Sequence, residues 1–88
     1  MIDRPLLVHT LETLNLQRDL PSGTEENALG SEINLTASQP VTSAMLREQM
    51  TFAEDRGWLA RHRGMLGERR WKITPEGIAA LRELKAGN

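Results

Sequence analysis

The residues of this sequence best suited to chemistry are basic side chains gathered between positions 56 and 72. This segment holds one acidic side chain, Glu68, and six basic ones: Arg56, Arg61, Arg63, Arg69, Arg70 and Lys72. A guanidinium group is planar and permanently charged, and its parallel N–H groups match phosphate oxygens. The segment is therefore predicted to bind a polyanion. The alternative is that the arginines decorate a solvent-exposed hairpin or pair with acids of the protein itself.

The distribution of charge along the chain also indicates a polyanion partner. Residues 1–40 carry two basic and six acidic side chains, a balance of −4, whereas residues 41–88 carry nine and six, a balance of +3. The net charge of −1 hides this asymmetry. Charge that is segregated in this way favours binding of nucleic acid by the basic part.

Catalytic and metal-binding groups are sparse. The chain has no cysteine, which excludes a disulfide framework, a thiolate zinc site and a cysteine nucleophile. His9 and His62 are remote in sequence and lack metal-ligand spacing, and no phosphate-loop, nucleophile-elbow or dinucleotide motif occurs. We therefore expect no enzymatic activity, no metal and no cofactor.

Two helices are predicted before position 40. The first runs from about Asp3 to Leu16, because leucines at positions 7, 11 and 14 share one helical face. The second begins at Ser22 or Thr24, where Ser22 and Glu25 fit a capping box. Its apolar face is predicted to close at Leu35, and Leu20 in the preceding loop is predicted to tuck onto the core.

A third helix is predicted from Val41 to Arg56. Pro40 is placed at its first turn, and Gly57 supplies the left-handed stop. Leu46, Met50 and Ala53 form its apolar stripe, which leaves a polar side for other contacts.

A β-hairpin and a fourth helix follow the third helix. The strands are predicted at 58–63 and 69–73, with Trp71 and Ile73 on an apolar face and Arg70 and Lys72 on a cationic one. Trp58 and Trp71 are expected in the core. At the loop tip, Met65 and Leu66 are expected to fold back over Trp71, with contact to a partner as the alternative. The last helix is capped by Thr74.

Residues 41–81, which include the third helix and the hairpin, also resemble a known family in sequence. The chain resembles the PadR-like and MarR-like winged-helix regulators of bacteria in the runs 45–50, 54–59, 67–73 and 74–77. The third of these runs ends at Ile73, and the fourth is Thr74-Pro75-Glu76-Gly77. The resemblance implies an α+β winged helix-turn-helix, a single domain over 1–88. It further implies that the third helix enters the DNA major groove and that the hairpin, the wing, lies on the flanking backbone.

Two sets of residues are predicted to contact DNA. On the third helix these are Thr42, Ser43, Arg47 and Gln49, and on the wing they are Arg61, Arg63, Arg69 and Arg70. Double-stranded DNA is the expected partner, bound by a homodimer whose contact comes from leucines of the first or last helix. The alternative is a winged helix that binds protein and not DNA, which the acidic Glu48 and Glu54 and the isoelectric point of about 6.1 favour.

Cellular placement follows from what the sequence lacks. Its apolar runs are a few residues long, against the roughly 20 needed to cross a bilayer. It shows no basic region followed by an apolar one at its start, as a secretory signal would. We expect a cytoplasmic regulator from bacteria or phage with no membrane contact.

Overall fold

The computed structural model describes residues 2–87. In chain order the elements are α1 (Arg4–Leu16), β1 (Thr24–Glu25), α2 (Glu26–Thr36), α3 (Ser43–Asp55), β2 (Leu59–Arg63), β3 (Arg69–Ile73) and α4 (Pro75–Ala86). The three strands form one antiparallel sheet in the order β1-β3-β2. The predicted succession of helices around a hairpin is confirmed, and β1 is an element that the sequence did not indicate.

Local side-chain hydrogen bonds set where the helices begin. Asp3 accepts from the backbone N–H of Leu6 at 3.1 Å, and Thr74 accepts from Gly77 at 3.0 Å. Both caps agree with the sequence-based prediction. The predicted start of α3 is wrong by two residues, because Thr42 is its cap and accepts from Met45 at 3.1 Å.

The predicted start of α2 is also wrong, because two of the residues assigned to it pair with the sheet. Thr24 lies opposite Trp71, and the helix begins only at Glu26 with Glu25 as its cap. Gly23, just before β1, has a φ of +74°, and a Cβ there would lie 2.6 Å from the carbonyl oxygen of Trp71. A glycine is therefore required for β1 to approach β3.

The core lies between the four helices and one face of the sheet. Trp71, 2% exposed, is the largest of the side chains that are almost fully buried. Around it pack Leu7, Leu11, Leu14, Leu29, Ile33, Leu46, Met50, Ala53, Leu59, Ile73 and Leu81. The leucines of α1 that were predicted to serve a dimer contact are thus used within the chain, and so is Leu81 of α4.

Four apolar residues that were predicted to pack inward are exposed, namely Leu20, Leu35, Met65 and Leu66. Leu20 sits in the turn before Gly23, where its carbonyl oxygen accepts from Lys72 at 2.9 Å. Leu35 falls in the last turn of α2, two residues beyond the buried Ile33 and so on the opposite side of the helix. Met65 and Leu66 extend beyond the sheet with the hairpin loop.

Gly23→Ala should destabilise the protein more than Gly57→Ala. Both glycines have a positive φ, +74° and +79°, but nothing lies within 4 Å of a Cβ at position 57. Gly57→Ala should therefore lower the free energy of unfolding only by the strain of a left-handed backbone conformation, about 1–2 kcal/mol. Gly23→Ala adds a clash with β3, worth about 1–3 kcal/mol more. Urea unfolding of both variants measures the difference, and equal midpoints would contradict the close approach of β1.

Candidate nucleic-acid interface

The pairing of β2 with β3 places three arginines on one face of the hairpin. Arg61 lies opposite Trp71, and Arg63 lies opposite Arg69. Because side chains alternate across a strand, these arginines share a face with Trp71. The predicted apolar face is confirmed for Trp71 and Ile73, which are buried, and the same face becomes cationic towards the loop.

Arg63 and Arg69 form an exposed pair of like charges. Neither makes an ion pair or side-chain hydrogen bond within residues 2–87, although Arg69 lies near enough to Glu26 to help lower the pKa of that carboxyl. Like charges directly opposite one another on antiparallel strands are destabilising. Glu26 offsets part of the charge of Arg69, and an anion bound at this end of the hairpin would relieve the repulsion that remains between the two arginines.

Arg61 connects the hairpin to α3. Its Nε lies 3.4 Å from a carboxylate oxygen of Glu54, and its guanidinium stands 5.8 Å from the ring centre of Trp71. The contact neutralises one of the α3 acids. It also shows that the cationic face of the hairpin and the C-terminal half of α3 lie on the same side of the molecule.

Arg70 holds the hairpin to the chain that precedes β1. Its Nε donates to the carbonyl oxygen of Ser22 at 2.8 Å, one Nη donates to that of Gly23 at 3.0 Å, and the other lies 3.2 Å from Glu68. The guanidinium is thus occupied on three sides by the protein's own oxygens. The structure places Arg70 on the opposite face of the hairpin from Arg63 and Arg69.

On α3, Ser43 and Arg47 are exposed and Thr42 is the helix cap. A guanidinium nitrogen of Arg47 donates to Glu26 of α2 at 2.8 Å, and the indole N–H of Trp71 donates to the other oxygen of Glu26 at 3.0 Å. Burial by itself would raise the pKa of Glu26, but the hydrogen bonds from Arg47 and Trp71 outweigh it and lower that pKa. Glu26 therefore links α3 to the sheet as a carboxylate.

Gln49 is not available at the surface, which corrects its prediction as a DNA contact. It is 1% exposed. Its side-chain oxygen accepts from the backbone N–H of Asp3 at 3.1 Å, and its amide nitrogen donates to Met45 at 3.3 Å. The sequence contained a signal for this burial, because position 49 lies three residues after Leu46 and four before Ala53, on the buried face of the helix.

The contribution of Glu26 to stability should disappear in acid. A lowered pKa in the folded state stabilises the fold above the ordinary value of 4.5, and this contribution is lost as the pH falls through the lowered pKa. Glu26→Gln should cost about 1–2 kcal/mol at pH 7, since it weakens charge-assisted hydrogen bonds, and almost nothing near pH 2. Thermal melting at both pH values tests this, with Glu32→Gln, exposed on the same helix, as the matched control.

The similarity of this chain to known proteins lies in its three-dimensional structure. No protein-family model matches the sequence, and no curated protein matches it. A solved structure described as F93 from STIV, a winged-helix DNA-binding protein, superposes with a TM-score of 0.79 at 20% identity, over 98% of this chain and 89% of that one. The structure of SSV1 F-93 superposes with a TM-score of 0.65 at 18% identity, over 99% and 87%. The chain has a winged-helix fold.

In this winged helix, α2 and α3 form the helix-turn-helix and the β2–β3 hairpin is the wing. The exposed residues predicted as DNA contacts divide between the two: Thr42, Ser43 and Arg47 on α3, and Arg61, Arg63 and Arg69 on the wing. Residues 2–87 hold no group of three or more metal-ligating side chains. In that same range no helix is long and apolar enough to cross a membrane.

Proposed function

We propose that this winged helix binds double-stranded DNA. In this arrangement the N-terminal half of α3, with Thr42, Ser43 and Arg47, lies in the major groove, and the wing lies on the flanking backbone. The observation that carries the proposal is the opposed, exposed pair Arg63 and Arg69. A phosphate of the duplex backbone would relieve the repulsion between two such arginines.

The acids of α3 weaken the case for DNA less than the sequence suggested. Glu54 is paired with Arg61, so that carboxylate does not stand alone before a phosphate. Arg47 is held by Glu26 through a contact that leaves Arg47 about half exposed. An ion pair with one exposed partner is weak, and a phosphate can compete for this guanidinium.

A further argument comes from the structural neighbour. F93 from STIV is described as a DNA-binding protein and has the same fold over 98% of this chain. With the resemblance to PadR-like and MarR-like proteins, this supports a role in transcription regulation. We extend the proposal to a cytoplasmic regulator of bacteria or phage that acts as a two-fold dimer on a palindromic site.

The second candidate is a winged helix that binds another protein. It is favoured by the contacts that arginines make within the chain, since Arg47, Arg61 and Arg70 each reach a carboxylate. In this case the wing would meet an acidic protein surface. The two candidates are distinguished by whether double-stranded DNA binds to these same arginines.

Salt dependence of duplex binding tests the proposal. If Arg47, Arg61, Arg63 and Arg69 each neutralise one phosphate, the logarithm of the binding constant should fall with the logarithm of salt concentration at a slope of about −3.6. Fluorescence anisotropy of a labelled random duplex at 50 and 200 mM salt should then show a loss of affinity of roughly 150-fold. Absence of binding at 50 mM by the folded protein would favour the protein-binding candidate.

A further inference from the structure

The tip of the wing presents two apolar side chains that the fold does not use. Met65 is 101% exposed and Leu66 is 94% exposed. They are adjacent and lie at the end of the hairpin, away from the core. Single exposed apolar residues are ordinary on a protein surface, whereas adjacent large ones at the end of a projecting element are typical of a contact site.

The loop that carries these side chains is held in one conformation by hydrogen bonds. The backbone N–H of Gly64 donates to the carbonyl oxygen of Glu68 at 2.8 Å, and that of Gly67, whose φ is +82°, donates to Gly64 at 3.0 Å. The N–H of Leu66 donates to the carboxylate of Glu68 at 3.0 Å. Met65 and Leu66 are therefore presented in a defined direction.

The carboxylate of Glu68 is well suited to keep the loop in this form. Hydrogen bonds from its own backbone N–H, from Leu66 and from Arg70 outweigh a slight desolvation and lower the pKa of Glu68. The group is consequently ionised at neutral pH and accepts all three donors. It also balances the charge of Arg70, so that Arg63 and Arg69 are the cations at the base of the loop that make no ion pair within residues 2–87.

The charges next to the tip indicate which kind of partner binds it. Arg63 and Arg69 lie immediately before and after the loop, so an apolar tip projects beyond a cationic base. The minor groove of DNA has the complementary order, with phosphates at its rim and stacked bases at its floor. Met65 and Leu66 lie in the turn that the hydrogen bond from Gly67 to Gly64 closes, beyond the last paired residues Arg63 and Arg69. Side chains that project from this turn meet the scale of the minor groove, which is about 7.5 Å deep.

We propose that Met65 and Leu66 enter the minor groove and wedge against a base step while Arg63 and Arg69 hold the two phosphate rims. This inference rests on the proposed function. Apolar side chains inserted between base pairs partly unstack them and bend the duplex. Pyrimidine–purine steps unstack most easily, so the tip would select such steps by their deformability, without hydrogen bonds to bases.

The test compares the protein with the variant Met65→Ser/Leu66→Ser. The probe is a duplex that carries 2-aminopurine at several TA steps, whose fluorescence rises when the step unstacks. We expect the unaltered protein to raise this fluorescence and the variant to leave it unchanged. The variant should also bind about tenfold more weakly with the same salt slope, because the slope counts phosphates and both arginines remain. Leu35→Ser changes a leucine of α2 that is 81% exposed; it is the matched control and should behave as the unaltered protein does.

The outcomes separate this inference from the proposed function. Equal affinity and equal fluorescence for the variant and the unaltered protein would overturn the wedge and leave DNA binding in place. Absence of duplex binding by the unaltered protein would overturn the proposed function and the wedge with it. Tip-dependent binding to vesicles with anionic lipid, with duplex binding independent of the tip, would assign Met65 and Leu66 to a membrane surface and contradict the wedge.

Discussion

Replacing both Arg63 and Arg69 by glutamine should remove about half of the salt dependence of DNA binding, and replacing both by glutamate should abolish binding. Loss of two phosphate contacts lowers the magnitude of the salt slope by about 1.8. Glutamates at these positions add repulsion from the backbone phosphates to that loss. Anisotropy titrations at three or more salt concentrations give the slope for each variant directly.

The matched control for this experiment exchanges arginines outside α3 and the wing. Arg18 and Arg82 are exposed on the loop after α1 and on α4, and Arg18→Gln/Arg82→Gln changes the net charge by the same amount. Its salt slope should stay near that of the unaltered protein. If this variant loses as much slope as Arg63→Gln/Arg69→Gln, the binding reflects overall charge and the wing has no special part in it.

The stability of the single variant Arg63→Glu should move in the opposite direction from its binding. Removal of one arginine of an opposed pair relieves repulsion, and Arg63→Glu places a carboxylate across from Arg69. Cross-strand pairs of opposite charge stabilise by about 0.2–1 kcal/mol. Arg63→Glu should therefore melt at a slightly higher temperature while it binds DNA more weakly. A variant that lost stability together with affinity would show that Arg63 has a structural role.

The helices and the hairpin were predictable because their signals are local. Capping by Asp3 and Thr74 depends on side chains within three residues of the N–H groups that they accept. The winged-helix fold followed from the order of these elements. Strand β1 was not predictable in the same way, since two residues, Thr24 and Glu25, form a strand only because β3 lies beside them.

The sequence predicted which residues make up the candidate site better than it predicted which of them are free to contact DNA. The sequence indicated which arginines cluster, but it could not show that Arg70 is occupied by the carbonyl oxygens of Ser22 and Gly23, nearly fifty residues away. The same holds for Glu26, which joins Arg47 to Trp71 across three elements. Such contacts depend on tertiary packing, and only the periodicity that buries Gln49 was present in the sequence itself.

Trp71→Ala should leave the protein largely unfolded at 37 °C. Trp71 is 2% exposed, pairs with Thr24 across the sheet and donates its indole N–H to Glu26. Truncation of a buried tryptophan to alanine costs about 3–5 kcal/mol, a large share of the roughly 5–15 kcal/mol that stabilises a small domain. Circular dichroism during heating and in urea measures the loss. Trp58→Ala removes a half-buried tryptophan just before β2; it should cost clearly less and serves as the control.

Trp71→Phe separates the two roles of this side chain. The phenyl ring retains most of the buried apolar area but has no N–H for Glu26, so the variant should stay folded and lose about 1–2 kcal/mol. Glu26 would then keep Arg47 as its side-chain donor, and Arg47 would be held more tightly. Because a phosphate must compete with Glu26 for Arg47, Trp71→Phe should weaken DNA binding while the wing arginines remain in place. Unchanged binding by this folded variant would show that Arg47 is not among the groups that reach the duplex.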